Sequence, residues 1–175
     1  MEKKANGLSL EHTINQSNEI YQQKSLALIT KRPTPVQVLK SKGRNIVSGL
    51  YVKKSTVDYE GVYNGYAVAF EAKSTMNSNS FPLKNIREHQ VLYLEQAEKM
   101  GALCFFLLEF RTLNIVYLMP FNLVNEYIKN ACQGGRKSIP LDECNLYGYK
   151  VQTQQEIPLD YLPYVDELIK HQKCE

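Results

Sequence analysis

Residues 66 to 73 alternate between two kinds of side chain, as a β-strand does. One face holds only apolar and aromatic groups, whereas the other face ends in Glu71 and Lys73. Because successive side chains of a strand point to opposite sides, the segment is predicted to bury its first face. Its second face then presents a carboxylate beside an ammonium group. This segment restricts the fold more than any other, because a strand must pair with other strands in a sheet.

Apolar patterns predict the elements around this strand. Helices are predicted at residues 9–23, from Pro82 to near Gly101, at 121–132 and at 160–172, and buried strands at 103–110 and 114–119. Segments 36–40 and 46–53 are predicted to form a hairpin with a cationic tip. Helices that bracket a central sheet indicate an α/β organisation, in one domain that spans residues 1–175.

The segment before Asp58 is entirely basic. Between Ile20 and Val57 there is no aspartate or glutamate, and the cations are Lys24, Lys31, Arg32, Lys40, Lys42, Arg44, Lys53 and Lys54. Such a run favours a phosphate-binding surface, with an ordinary solvated face as the alternative.

Asp58 and Glu71 are the candidate ligands of a divalent metal ion. Hydrolysis of a phosphodiester needs an activated water and relief of negative charge, and a hard cation held by oxygen ligands supplies both. Thr56 would add a hydroxyl oxygen if its segment is extended, and Gln90 would add an amide oxygen from a helix. Lys73 would orient the water or stabilise the transition state.

Each of these residues also has a simpler explanation. Glu71 and Lys73 would form a structural ion pair on a sheet face, Gln90 would be a core amide bonded to backbone, and Thr56 would make a local bond at a strand end. Short motifs of this kind occur by chance.

The composition indicates a soluble globular protein. Hydrophobic residues make up 43% of the chain, and no long uncharged apolar run is present that would span a membrane. The N-terminal residues lack the apolar core of a secretory signal, so a cytoplasmic location is expected. The four cysteines are scattered without a C-x-x-C pair, which argues against a zinc ribbon.

Several segments together resemble one family, the RecU Holliday-junction resolvases. They are residues 15–21 (NQSNEIY), 31–37 (KRPTPVQ), 55–65 (STVDYEGVYNG), 70–73 (FEAK), 80–83 (SFPL) and the pair His89-Gln90. The resemblance covers roughly residues 7 to 120. It implies a restriction-endonuclease-like α/β fold, with a central mixed sheet flanked by helices and a protruding basic hairpin. It further implies a homodimer that cuts four-way DNA junctions by symmetric nicks, with Mg²⁺ as cofactor and Mn²⁺ as a substitute.

The resemblance also assigns roles to individual residues. The metal ligands fall on Thr56, Asp58, Glu71 and Gln90, and the transition-state lysine falls on Lys73. The protruding stalk corresponds to about residues 40–52 and enters the junction centre. DNA contacts are then expected from Lys40, Lys42 and Arg44 on the stalk. The basic run adds Lys31, Arg32, Lys53 and Lys54 to the expected DNA contacts. Glu11 matches an acid of the first helix that supports the site.

Two departures from the family pattern leave other functions open. Ala69 stands where the family usually has an aspartate, and the basic N-terminal tail of longer members is absent. One alternative is a junction-binding protein that does not cut, acting with recombinase and branch-migration motor proteins. Another is a general or restriction-type nuclease on duplex DNA.

Overall fold

The computed structural model describes residues 9–52, 56–153 and 156–172. The helices are α1 (Leu10–Gln23), α2 (Glu88–Lys99), α3 (Phe121–Cys132), α4 (Leu141–Tyr147) and α5 (Leu162–Gln172). The strands are β1 (Leu28–Lys31), β2 (Val36–Lys42), β3 (Asn45–Tyr51), β4 (Tyr59–Tyr63), β5 (Tyr66–Thr75), β6 (Ser80–Pro82), β7 (Leu103–Phe110), β8 (Ile115–Pro120), β9 (Ser138–Pro140) and β10 (Tyr149–Val151).

A six-stranded mixed sheet in the order β1-β4-β5-β7-β8-β10 forms the centre of the fold. Strand β5 pairs antiparallel with β4 and parallel with β7, whereas β7 and β8 are antiparallel. The parallel pair is joined by a crossover that contains α2, as parallel strands require. The predicted α/β class, with a mixed sheet flanked by helices, is confirmed.

The sheet is buried on both faces. One core lies against α1 and α5 and contains Phe70, which stacks on Tyr59 at 4.8 Å and on Phe105 at 4.6 Å between ring centroids. The other core lies against α2 and α3 and contains Ala69 and Phe106. The period of two along β5 therefore places Glu71 on the α2 side, where the apolar packing gives way to polar side chains.

The predicted basic hairpin is present, and its strands approach the tip more closely than predicted. Among the described residues, β2 and β3 pair only with each other, and each of their residues is exposed. The turn between them shortens to Gly43 and Arg44, because Lys42 pairs with Asn45. Gly43 adopts φ +61°, a conformation that glycine reaches without strain.

The helix predicted from Pro82 begins later in the structure. Pro82 is the last residue of β6, residues Leu83–Asn85 form a single 3-10 turn, and α2 starts at Glu88. Pairing of β6 with β9 extends the chain at Pro82, and this tertiary contact overrides the local preference of proline for the first turn of a helix. Similarly, the C-terminal helix starts at Leu162 and not at Asp160, because Asp160 is bridged to Gln152.

None of the helices in the described residues has the length and apolar character needed to cross a bilayer.

Candidate metal centre

Asp58 and Glu71 meet at the end of the β4–β5 pair. Tyr59 pairs with Phe70, so the residues that flank this pair face each other across the two strands. The Asp58 N–H donates to Glu71 Oε2 at 2.9 Å, and the Ala72 N–H donates to Asp58 Oδ2 at 3.2 Å. Two carboxylates that lie thirteen residues apart in the sequence are thereby brought side by side.

The second oxygen of Glu71 faces two donors. Lys73 Nζ lies 2.6 Å from Glu71 Oε1, and Gln90 Nε2 donates to the same oxygen. Glu71 is 0% exposed and the Lys73 side chain 19% exposed. The contact between Glu71 and Lys73 is therefore shielded from bulk water, unlike the solvent-exposed pairs that contribute little to stability.

Gln90 reaches the site through its nitrogen. Its amide oxygen accepts the Arg87 N–H at 3.1 Å at the start of α2, which fixes the orientation of the amide. To bind a metal ion through that oxygen, as predicted, the amide would have to lose this hydrogen bond and rotate so that its oxygen faces the site. Metal ligation by Gln90 stays a prediction.

Thr56 lies two residues before Asp58, and its hydroxyl accepts a hydrogen bond from Arg32 Nη1 at 2.9 Å. The Arg32 N–H also donates to the carbonyl oxygen of Asp58 at 2.8 Å. The segment that carries two predicted ligands is thus fixed to the end of β1.

Burial raises the pKa of Glu71 from an ordinary value of 4.5 to about 8. The negative charge of Asp58 adds to the rise, and the Lys73 ammonium opposes it. Because the folded-state pKa is the higher one, protonation of Glu71 stabilises the metal-free fold fully below pH 4.5. This contribution is lost as the pH rises through about 8. Ionisation of Glu71 is unfavourable in the metal-free protein, and a bound cation would offset this cost by attracting the carboxylate charge.

The donor chemistry fits a hard divalent cation. Carboxylate and hydroxyl oxygens are the ligands that Mg²⁺ and Mn²⁺ prefer. Asp58 and Glu71 offer two carboxylates side by side, and Thr56 carries a hydroxyl two residues before Asp58. Within residues 9–52, 56–153 and 156–172, no three His, Cys, Asp or Glu side chains are grouped so as to hold a metal ion. The candidate centre therefore offers two carboxylates, those of Asp58 and Glu71.

The predicted DNA-binding cations are distributed over two regions. Lys31 pairs with Glu11 and Arg32 with Glu60, both close to the site. Lys40, Lys42 and Arg44 lie on the exposed hairpin. Lys53 and Lys54 lie outside the described residues. Glu11 is linked to β4 as well, because the Tyr59 hydroxyl donates to its carbonyl oxygen at 3.2 Å.

Sequence reasoning missed Glu60 and Tyr93. Glu60 Oε1 lies 2.7 Å from Arg32 Nη1, and the Tyr93 hydroxyl donates to the same oxygen. The sequence does indicate Glu60 in one respect: it follows Asp58 by two residues, so in an extended segment both side chains lie on the same face. That signal was usable only once β4 had been recognised as a strand.

The sequence of this chain matches one protein family and several known proteins. The family described as Recombination protein U (RecU) matches residues 5–167. The Holliday junction resolvase RecU of Geobacillus sp. (strain WCH70) is 40% identical over 167 residues, which are 93% of this chain and 83% of that protein. The protein of the same name from Pediococcus pentosaceus is 38% identical over 170 residues, 94% of this chain and 85% of its own.

The protein of that name from Staphylococcus aureus (strain JH9) is 40% identical over 168 residues, which are 93% of this chain and 81% of that protein. Among solved structures, Hjc of Archaeoglobus fulgidus, a Holliday junction resolvase, aligns with 78% of this chain and 94% of its own. The TM-score is 0.43 and the sequence identity 13%.

Proposed function

This chain belongs to the RecU family, and from that premise we propose that it is a structure-selective DNA endonuclease that resolves Holliday junctions. The observation that carries the proposal is the convergence of Asp58 and Glu71, with the Lys73 ammonium 2.6 Å from the Glu71 carboxylate. Hydrolysis of a phosphodiester requires this combination of charges: anions for a metal ion and a cation for the developing charge on phosphate.

Asp58 and Glu71 would hold Mg²⁺, with Mn²⁺ as a substitute, and Thr56 and Gln90 would complete the ligand set. Such a metal ion supplies a Lewis acid for the phosphate oxygens and lowers the pKa of a bound water. Lys73 orients the attacking water through its ammonium hydrogens and stabilises the added negative charge in the transition state. The buried carboxylate of Glu71 keeps this ammonium beside the reacting phosphate.

The cations of the acid-free segment would hold the DNA. The hairpin carries Lys40, Lys42 and Arg44 and no acid, and both of its strands are exposed. It is therefore suited to reach phosphates away from the body of the protein. A homodimer would place two such sites on the two strands of equal polarity in a four-way junction, since its twofold symmetry matches that of the DNA. Recombinase and branch-migration motor proteins are the further partners that we propose.

Cleavage of matched DNA substrates tests this function. The protein is incubated with Mg²⁺ and with four-way, forked and linear duplexes built from the same sequences. Paired nicks in the four-way junction alone support the proposal. Binding without any product would instead support a non-cleaving junction factor, the reading that the alanine at position 69 favours. Products from all three substrates would indicate a general nuclease.

Metal binding should release a proton at neutral pH. Because the pKa of Glu71 is about 8 in the metal-free protein, the carboxyl is largely protonated at pH 7 and must ionise to bind a cation. The apparent affinity for Mn²⁺ should therefore rise by about tenfold per pH unit up to pH 7.5 and level off above pH 8.

Titration calorimetry of the DNA-free protein in two buffers of different ionisation enthalpy measures the number of protons released. An affinity that does not change between pH 6 and pH 7.5 would show that Glu71 is already ionised in this range, or that it does not bind the metal.

A further inference from the structure

Arg32 connects both ends of the segment that carries two of the proposed metal ligands. Its backbone N–H donates to the carbonyl oxygen of Asp58 at 2.8 Å, and its Nη1 donates to the Thr56 hydroxyl at 2.9 Å. The backbone bond fixes the direction of the chain at Asp58, and the side-chain bond fixes the rotation of the Thr56 hydroxyl. Arg32 thereby restrains the relative placement of these two oxygen donors.

The guanidinium group of Arg32 is itself held from two other elements. Glu60 on β4 accepts from Nη1 at 2.7 Å, and the Tyr93 hydroxyl on α2 lies 3.4 Å from the same nitrogen. The guanidinium carbon also lies 5.9 Å from the centroid of the Tyr93 ring, within the range of a cation–π contact. Because the Tyr93 hydroxyl also donates to Glu60, the three side chains form a closed network across β1, β4 and α2.

Glu60 is the member of this network that lies directly opposite Ala69. The two residues pair across β4 and β5, so their side chains share the face that also carries Glu71. An acidic residue at position 69 would place a like charge beside Glu60, whereas alanine leaves Glu60 free to direct its charge at Arg32. This chain therefore carries a carboxylate at position 60 on β4 and an uncharged side chain opposite it on β5.

We propose that Arg32 is a positioning residue for the metal centre, held in place by Glu60 and Tyr93. This inference rests on the proposed nuclease function, and it identifies residues that hold the proposed metal ligands in place. The side chain of Arg32 is 42% exposed and that of Glu60 27% exposed, so the ion pair alone would be worth little. Its effect comes from geometry, because Nη1 of the planar guanidinium holds its two hydrogens in fixed directions, towards the Thr56 and Glu60 oxygens, whereas an ammonium group rotates freely.

The test measures Mn²⁺ affinity of the full-length protein without DNA. Glu60→Gln and Arg32→Lys should each weaken Mn²⁺ binding by about ten- to a hundredfold, the usual effect of removing a group that orients a metal ligand. Tyr93→Phe keeps the ring and loses only the hydroxyl, so a smaller loss in the same direction is expected. Glu95→Gln on α2 is the matched control. Glu95 forms its ion pairs with Lys99 and Lys129, so this substitution should leave Mn²⁺ affinity unchanged.

Junction binding separates positioning from a plain phosphate contact. With the metal chelated, Glu60→Gln should bind four-way DNA at least as tightly as the unmodified protein, because it removes a negative charge. At high Mg²⁺ concentration, its cleavage rate should recover. Circular dichroism verifies folding, and Tyr93→Phe keeps the test valid if Arg32→Lys does not fold.

Unchanged Mn²⁺ affinity in Glu60→Gln and Arg32→Lys would overturn the inference, and Arg32 would then be a DNA contact alone. If the unmodified protein fails to bind Mn²⁺, the metal site itself is wrong and the positioning role is overturned with it. The two failures are distinguishable, because only the second affects the unmodified protein.

Discussion

Glu71→Gln should reduce cleavage of four-way junctions by at least about a thousandfold while junction binding stays within about twofold. Glutamine keeps the size of the side chain, and its amide oxygen still accepts from Lys73 and Gln90, while the bond from the Asp58 N–H is lost. What it loses is the charge that a divalent cation needs. DNA binding should persist because it depends on cations that lie on other segments, including the exposed hairpin.

The loss of charge in this substitution should not destabilise the fold at neutral pH. Burial raises the pKa of Glu71 to about 8, so the metal-free protein already holds this side chain in its neutral form at pH 7. Replacing Glu71 by a neutral amide therefore removes no favourable charge from the folded state at pH 7. Above pH 8, the replacement removes a charge that destabilises the folded state. Thermal unfolding at pH 6 and pH 9 should show less pH dependence in the variant than in the unmodified protein.

Single-turnover cleavage and a gel-shift titration on one junction preparation measure both effects, with Glu95→Gln as the control for a carboxylate-to-amide change elsewhere. Cleavage at a tenth of the normal rate or faster would remove Glu71 from the metal centre. A parallel loss of junction binding would show that the variant fails for a structural reason.

The period of two along residues 66 to 73 was enough to predict that Glu71 and Lys73 share a face. It could not show that Asp58 lies opposite, because β4 has a weak strand signal. Gly61 lowers the strand propensity of the segment, and its reason is tertiary: a Cβ at this position would come within 2.1 Å of the Leu28 carbonyl oxygen on β1. Only the folded sheet reveals why the glycine is there.

Pairings between distant segments also explain why α2 begins at Glu88 and not at Pro82 as predicted. Strand β6 finds its partner at residues Ser138–Pro140, more than fifty positions along the chain, and no local pattern near Pro82 encodes that contact. Arg32 illustrates the same limit in the site. Its charge was visible in the sequence and favoured a phosphate contact, whereas its partners come from two distant segments, Thr56 and Glu60 from residues 56–60 and Tyr93 from α2.

Lys73→Gln should lower the rate of cleavage by about a hundred- to a thousandfold at saturating Mg²⁺, the range seen when one group that stabilises transition-state charge is removed. The ammonium group contacts the Glu71 carboxylate at 2.6 Å and lowers its pKa. Without it, the pKa of Glu71 should rise further, so the pH at which the metal binds should move upward. The variant therefore has two separable defects, one in metal binding and one in chemistry.

Metal titrations at several pH values separate these defects. Raising the pH and the Mg²⁺ concentration should restore occupancy of the metal site in Lys73→Gln, as measured by calorimetry, without restoring the single-turnover rate. Lys73→Arg keeps a positive charge and should retain part of the rate, since its guanidinium can still face the phosphate. Full recovery of the rate in Lys73→Gln at high Mg²⁺ would mean that Lys73 only tunes the ionisation of Glu71 and takes no part in stabilising the transition state.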